Sequence, residues 1–243
     1  MQRYFADSKI TTKYQLTPEI YKHAIKVLRM KVGDTFELVD DAEVVHKMEI
    51  TKIEDGKAKA TSVEVIPSDV ELPADVTIAC GISKNDKADW IVQKGTEMGA
   101  TKFIFFIGDY SVAKWDKKRS SKKVQRLQKI ARSAAEQSHR TKIPEVTFVE
   151  KLKDIDFEKN DARIVAYEES AKKGESGNLF KILNKRPSDV IAIFGPEGGI
   201  SPKEIEFLEA NSFILAGLGP RIMRAETAPL YFLASLSFAL ELS

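Results

Sequence analysis

Val190-Ile191-Ala192-Ile193-Phe194-Gly195-Pro196-Glu197-Gly198-Gly199-Ile200-Ser201-Pro202-Lys203-Glu204 is the stretch whose reading decides the fold. Its first five residues form an unbroken apolar run, the pattern of a parallel strand buried on both faces. The glycines after it make a turn, and Ser201 to Glu204 is a capping box with proline at the first helical position. Strand, glycine turn and helix in that order describe an open α/β sheet, whose ligands gather at the carboxyl ends of its strands. The pattern recurs downstream. Phe213 to Leu218 reads as a second buried parallel strand, and Gly219-Pro220-Arg221-Ile222-Met223-Arg224-Ala225-Glu226-Thr227 leads into the final helix. The two strands are expected to be neighbours, so that both turns share one pocket. Arg221, Arg224 and Glu226 bring two fixed cations and a carboxylate to it, suited to polar chemistry on an anionic partner.

Strands and helices also alternate upstream. Val76 to Ile82 reads as a strand, Asp86 to Met98 as a helix stopped by Gly99, and Lys102 to Ile107 as the next strand. Lys122 to Gln137 is an amphipathic helix with Val124, Leu127, Ile130, Ala131 and Ala134 inward, and Arg163 to Tyr167 is a further strand. The N-terminal region differs. Thr17-Pro18 caps a short helix, and Thr35 to Val39, Val44 to Ile53 and Lys57 to Val65 alternate between Asp40-Asp41 and Asp55-Gly56 turns, predicting antiparallel strands. Pro67 and Pro73 bracket a polar boundary, dividing the chain into domains 1–70 and 74–243. The last helix is apolar on more than one side, so a core or a subunit interface is expected to cover it.

A length of 243 residues with 43% apolar and 30% charged residues describes a globular protein with an ample core. Cys80 is the single cysteine, which excludes an intrachain disulfide and a multi-thiolate zinc site. His23, His46 and His139 are scattered, so no metal site is expected. Met1 to Phe5 lacks the apolar core of a signal peptide, and Leu230 to Leu240 is too short to span a bilayer, which predicts a cytosolic protein. The formal net charge is only +2, but Lys114 to Lys142 holds eleven basic residues against Asp116 and Glu136. Such density of one sign points to a polyanion partner.

The first turn has neither the Gly-x-Gly-x-x-Gly spacing nor a Gly-Lys-Ser/Thr ending, and Glu197 would repel a phosphate. A ligand other than a nucleotide phosphate is expected there. At Gly198 and Gly219 a branched side chain is expected to occupy the ligand's space without disturbing the fold.

Gly195-Pro196-Glu197-Gly198-Gly199 followed by Leu218-Gly219-x-Arg221-Ile222-Met223-Arg224-x-Glu226-Thr227-Ala228 resembles the C-terminal signature of the SPOUT RNA methyltransferases. Within that superfamily it is most similar to the RsmE type, which methylates the N3 of a uridine in 16S ribosomal RNA. Val27 to Asp34, Asp89 to Gly99 and Ala135-Glu136-Gln137-Ser138-x-Arg140 match three further motifs of that family, so the resemblance covers both domains. Two departures stand out: Gly95 where the family usually has alanine, and Tyr110 where it has arginine before Ser111-Val112.

The resemblance implies a PUA-like β-barrel, then an α/β domain with a C-terminal trefoil knot that binds S-adenosylmethionine, assembled as a homodimer. It carries the cofactor contacts onto Glu168, Phe194, Gly195, Pro196, Glu197, Gly198 and Gly199. From the second turn it adds Leu215, Leu218, Gly219, Ile222, Met223, Arg224, Ala225 and Thr227. Contacts to RNA fall on Arg3, Arg29, Lys84, Lys122, Lys123 and Arg126, with Arg132, Gln137, Ser138 and Arg140. Uracil N3 is protonated at neutral pH, so its methylation needs a proton acceptor. Arginine is a poor base, which casts Arg221 and Arg224 as electrostatic clamps and leaves Glu197 or Glu226 for the proton if burial raises its pKa. Two alternatives stay open: a SPOUT enzyme acting on another base or a ribose 2′-hydroxyl, and a non-catalytic RNA-binding assembly factor.

Overall fold

A computed structural model describes residues 1–84, 86–168 and 177–242 of the chain. Contacts divide it into two units. The first takes in Met1–Glu71 together with Ala135–Lys142, the second Leu72–Ala134 together with Ile143–Ser243.

In the first unit the alternating stretches form strands β3 (Thr35–Val39), β4 (Val45–Glu54) and β5 (Lys57–Ile66), paired antiparallel in sequence order. Two three-residue strands flank them: β1 (Arg3–Phe5) runs parallel to β3, and β2 (Lys13–Gln15) antiparallel to β5. Three residues are too few for a period-2 pattern to register, which is why the sequence did not announce them. Helix α1 (Pro18–Tyr21) is capped by Thr17, whose Oγ1 accepts a bond from the Ile20 N–H at 3.3 Å. It runs on as a wider π-helical turn over Lys22–Val27 that no sequence signal foretells. Phe36, Leu38, Met48 and Ile50 close the core beneath these elements.

The second unit is built on a six-stranded sheet in the order β11-β9-β10-β6-β7-β8, with every neighbour parallel. Its strands are β6 (Asp75–Gly81), β7 (Lys102–Ile107), β8 (Glu145–Lys151), β9 (Ala162–Ala166), β10 (Asp189–Phe194) and β11 (Ile214–Ala216). The helices are α2 (Lys87–Glu97), α3 (Lys117–Gln137), α4 (Asn178–Leu183), α5 (Pro202–Ala210) and α6 (Ala228–Glu241). As the apolar run demands, β10 is central and buried. The expectation that its neighbour is the other glycine-turn strand is corrected: β9 lies between β10 and β11. Apolar length fixes how deeply a segment is buried, not which strand it sits beside. β11 is an edge strand of three residues with Ile214 exposed, while the Phe213 and Leu218 side chains outside it still join the core.

Local signals held where they were strong. The Ser201 Oγ accepts from the Glu204 N–H at 3.2 Å while the Ser201 N–H donates to Glu204 Oε2 at 2.8 Å, opening α5. α3 starts five residues before the expected Lys122, at Lys117, in a segment too basic to show an apolar face. Gly95 has a packing reason: a Cβ there would stand 2.7 Å from the Phe103 ring. On α6, Phe232, Leu233 and Leu236 enter the core, whereas Tyr231, Phe238 and, just past its end, Leu242 are exposed. Cys80 is buried in β6, and burial pushes its thiol pKa up. No described helix is long and apolar enough to cross a membrane.

Candidate active site

A cleft of about 610 Å³ opens at the carboxyl ends of β9, β10 and β11. The first turn lines it from Phe194 to Ile200, and the second contributes Leu218, Gly219, Arg221, Ile222, Met223, Arg224 and Ala225. Ala166, Tyr167 and Glu168 from the end of β9 stand between the turns, so the two meet across an intervening strand rather than side by side. Of the expected cofactor residues, Leu215 and Thr227 do not line the cleft. Leu215 lies in β11, its carbonyl accepting from Asn178 Nδ2 at 2.9 Å, and Thr227 sits at the N-cap of α6.

The glycines divide into two kinds. Gly199 (φ +79°) and Gly219 (φ +100°) adopt backbone that L-residues rarely take, and a Cβ at either would meet no protein atom within 4 Å. Their open sides make room for a ligand. Gly198 corrects the expectation made for it: a Cβ there would stand 2.7 Å from Tyr110 Cβ and 3.0 Å from the Tyr110 carbonyl oxygen. A branched residue at 198 would therefore disturb the protein itself. The loop after β7 is fixed against this turn, since Ser201 Oγ donates to Asp109 Oδ2 at 2.5 Å and the Asp109 N–H to Glu204 Oε1 at 3.1 Å.

Lys87, in the first turn of α2, was not anticipated. Its ammonium lies 2.9 Å from Glu197 Oε1 and 3.2 Å from Glu226 Oε2, joining a carboxylate from each glycine turn. The Glu197 bond, the largest influence, raises the Lys87 pKa; partial desolvation opposes it and Glu226 adds to it. Partial burial pushes Glu197 upward, but Lys87 and the Lys84 backbone N–H at 3.2 Å outweigh it and hold the carboxyl below its ordinary range. The condition for Glu197 as proton acceptor, a pKa raised by burial, is therefore not met. Glu226 Oε2 is buried and meets Lys87 as an ion pair without hydrogen-bond geometry, so it has no hydrogen-bond partner among the described residues. Glu226 is not among the residues that line the cleft, although its partner Lys87 is. The Arg221 and Arg224 side chains are exposed on the second turn, and neither guanidinium has a bond or ion pair among the described residues.

The basic residues separate by environment. Lys122, Arg126 and Lys129 face a shallow groove along α3 with Gln125, Ile130 and Ser133. Arg126 pairs with Asp89 and lies 3.7 Å from Asp86, while the Lys123 ammonium sits 4.9 Å over the Trp115 ring. Arg29, Lys84 and Gln137 are exposed, and Arg132 and Ser138 are half-buried. Arg3 and Arg140 are corrected as RNA contacts, because both are buried. Arg3 Nε donates to Glu37 at 2.7 Å and its Nη1 to the His139 carbonyl at 2.5 Å; Arg140 is held by the Glu71 carboxylate. Partners 34 and 69 residues away neutralise them, which no local charge count reveals. The side chains of Lys117 and Lys118, counted in the basic run, lie outside the described residues.

Two family models match the chain. The RNA methyltransferase domain family matches residues 70–237, and the RNA methyltransferase PUA domain matches residues 16–61. The ribosomal RNA small subunit methyltransferase E of Bacillus subtilis is 39% identical over 254 aligned residues, covering 100% of this chain and 98% of its own. Its counterpart in Synechocystis is 31% identical, covering 89% of this chain and 70% of its own. The crystal structure of the Neisseria gonorrhoeae enzyme of that name, bound to S-adenosyl methionine, superposes with a TM-score of 0.85 at 27% identity, covering 98% of this chain and 97% of its own. A five-stranded N-terminal unit matching a PUA domain, a parallel sheet with a glycine-lined cleft, and full-length likeness to these proteins converge: the chain belongs to the ribosomal RNA small subunit methyltransferase E family.

Proposed function

We propose that the protein methylates N3 of a uridine in the 16S RNA of the small ribosomal subunit, with S-adenosylmethionine as the methyl donor. The observation that carries this reading is the cleft formed by the two glycine turns, with Arg221 and Arg224 unengaged on its wall. The residues fit the cofactor. A volume of about 610 Å³ is in the range of small-ligand sites, two glycines leave open space along the backbone, and the acidic Glu168 and Glu197 are among the lining residues.

When bound, that cofactor supplies an electrophilic methyl group. The protein's own task is to present N3 as a nucleophile. Arg221 and Arg224 hold the RNA phosphate or the negative charge that develops on the uracil as N3 loses its proton. Glu197, held anionic by Lys87, is better suited to attracting a cation than to accepting that proton. Glu226, whose buried Oε2 lies 3.2 Å from the shared Lys87 ammonium and outside the cleft lining, is the remaining acceptor, reached through a water. A paired N3 is inaccessible, so the target uridine is single-stranded or turned out of its helix.

RNA is gripped by the exposed cations of α3 and by the barrel unit, which act as domains 74–243 and 1–70. The C-terminal segment adopts the family's trefoil knot, and the exposed Tyr231 and Phe238 of α6, with Leu242 just past it, meet a second copy in a cytoplasmic homodimer. Incubating small subunits from a strain lacking this modification with the protein and labelled cofactor should yield 3-methyluridine. Label in another base or in a ribose 2′-O-methyl group would reassign the target; cofactor binding without label would leave an assembly factor.

A further inference from the structure

We propose that Tyr110 is a stacking platform at the rim of the cleft, taking the face of a nucleobase of the single-stranded RNA substrate. The inference rests on reading the cleft as an RNA methyltransferase site, and it assigns to this chain a substrate contact of its own. Tyr110 is 48% exposed although its segment is pinned. The Ser111 N–H donates to the Gly108 carbonyl at 2.9 Å and the Gly108 N–H to Ser111 Oγ at 3.0 Å, closing the turn that presents the ring. The same turn is tied to the start of α5 through Asp109, Ser201 and Glu204.

Gly198 connects this ring to the site. One side of Gly198 lines the cleft, and the other receives Tyr110 so closely that no Cβ fits between them. The backbone end of Tyr110 is thus fixed to the wall of the cleft while its ring stays available. The chain then runs through Val112, also exposed, into the basic helix α3. An aromatic face followed by a row of cations is the combination that holds single-stranded nucleic acid: the ring stacks on a base and the cations follow the phosphates. An arginine guanidinium plane stacks on bases as well, so a flat π-surface is the property that the substitutions keep or remove.

The test compares Tyr110→Phe, Tyr110→Arg and Tyr110→Leu with the wild type in three measurements. These are affinity for a short oligouridine RNA by fluorescence anisotropy, S-adenosylmethionine affinity by calorimetry, and KM and kcat on unmodified small subunits. Phenylalanine and arginine should keep RNA affinity close to wild type. Leucine, of similar bulk but without a π-face, should weaken it about five- to a hundredfold, the range for losing one base–aromatic stack, and should raise KM more than it lowers kcat. Cofactor affinity should be unchanged in all three. In the unaltered protein the Tyr110 ring protons should shift upfield as RNA is added, a readout that does not depend on how the leucine variant folds. Wild-type RNA affinity in the leucine variant, or no ring shift, would overturn the stacking role. Parallel loss of cofactor and RNA binding would overturn it too, making Tyr110 a buttress of the glycine turn. If the wild type methylates no RNA at all, the reading of the cleft fails and this inference fails with it.

Discussion

Three alanine substitutions separate a glycine that serves the ligand from one that serves the fold. Gly219 has φ +100°, and a Cβ there would meet no atom within 4 Å, so Gly219→Ala carries a backbone penalty and places one methyl group in the open cleft. The penalty for an L-residue in left-handed backbone is about 1–2 kcal/mol. In a chain of this length each kcal/mol lowers Tm by roughly 2–4 °C. Gly33, in the first unit, has φ +92° and equally empty surroundings, so Gly33→Ala carries the same penalty at a residue that does not line the cleft. Gly198→Ala differs in kind. Its Cβ would press against Tyr110 Cβ at 2.7 Å and the Tyr110 carbonyl at 3.0 Å, an overpacking that costs about 1–3 kcal/mol. Thermal unfolding and calorimetry with S-adenosylmethionine measure both consequences. All three variants should melt lower than wild type. Only Gly219→Ala should lose most of its cofactor affinity, by roughly tenfold or more if the methyl meets a closely fitted ligand. Unchanged affinity in Gly219→Ala, with melting equal to that of Gly33→Ala, would show that no cofactor lies against the second turn. A Gly198→Ala protein as stable as wild type would refute the packing argument.

Arg224→Ala should lower turnover roughly a hundredfold or more, the scale for losing one donor to a developing anion, with lysine rescuing only in part and higher pH helping the alanine variant; normal turnover with weakened RNA binding would make it a phosphate anchor instead. Lys122→Glu combined with Lys129→Glu should weaken RNA binding and flatten its salt dependence by about 0.7 per lost phosphate contact, while cofactor affinity holds. Lys123 and Arg126 are unsuitable for that test because Trp115 and Asp89 already engage them. The Glu71–Arg140 pair, its arginine buried and its carboxylate partly so, should make the first unit acid-sensitive. Burial alone would raise the Glu71 pKa, but Arg140 and the Thr141 and Lys142 N–H groups lower it below the usual carboxylate value. Its stabilisation is therefore complete above the unfolded pKa of about 4.3 and lost as pH falls through the lower folded value. Glu71→Gln removes the charge that faces the buried Arg140 guanidinium and should cost about 1.5–3 kcal/mol at pH 7 in denaturant unfolding, the scale of a hydrogen bond to a charged group. That difference from wild type should shrink below about pH 4.

What was legible in the sequence is what a residue carries in its own backbone or its immediate neighbours. Proline and the Ser201–Glu204 pair announce the start of α5 because every atom of the capping box lies within four positions. The glycines of the two turns were visible for the same reason, although only their surroundings distinguish Gly199 and Gly219 from Gly198. A lysine's meaning, by contrast, lies in its partner. Lys87 meets a carboxylate 110 positions away because β6 lies beside β10, and nothing near Lys87 in the chain records that pairing. Arg3 and Arg140 mislead in the opposite sense: read as charges they suggest RNA, yet Glu37 and Glu71 use them to hold the first unit together. The arrangement of the cleft depends on the same kind of remote fact. The glycine turns converge because β9 carries Ala166–Glu168 between them, a segment with no motif of its own. Substitutions at the end of β9 should therefore alter the width of the cleft, and the chemistry of the glycine turns is set in part by residues that no sequence pattern singles out.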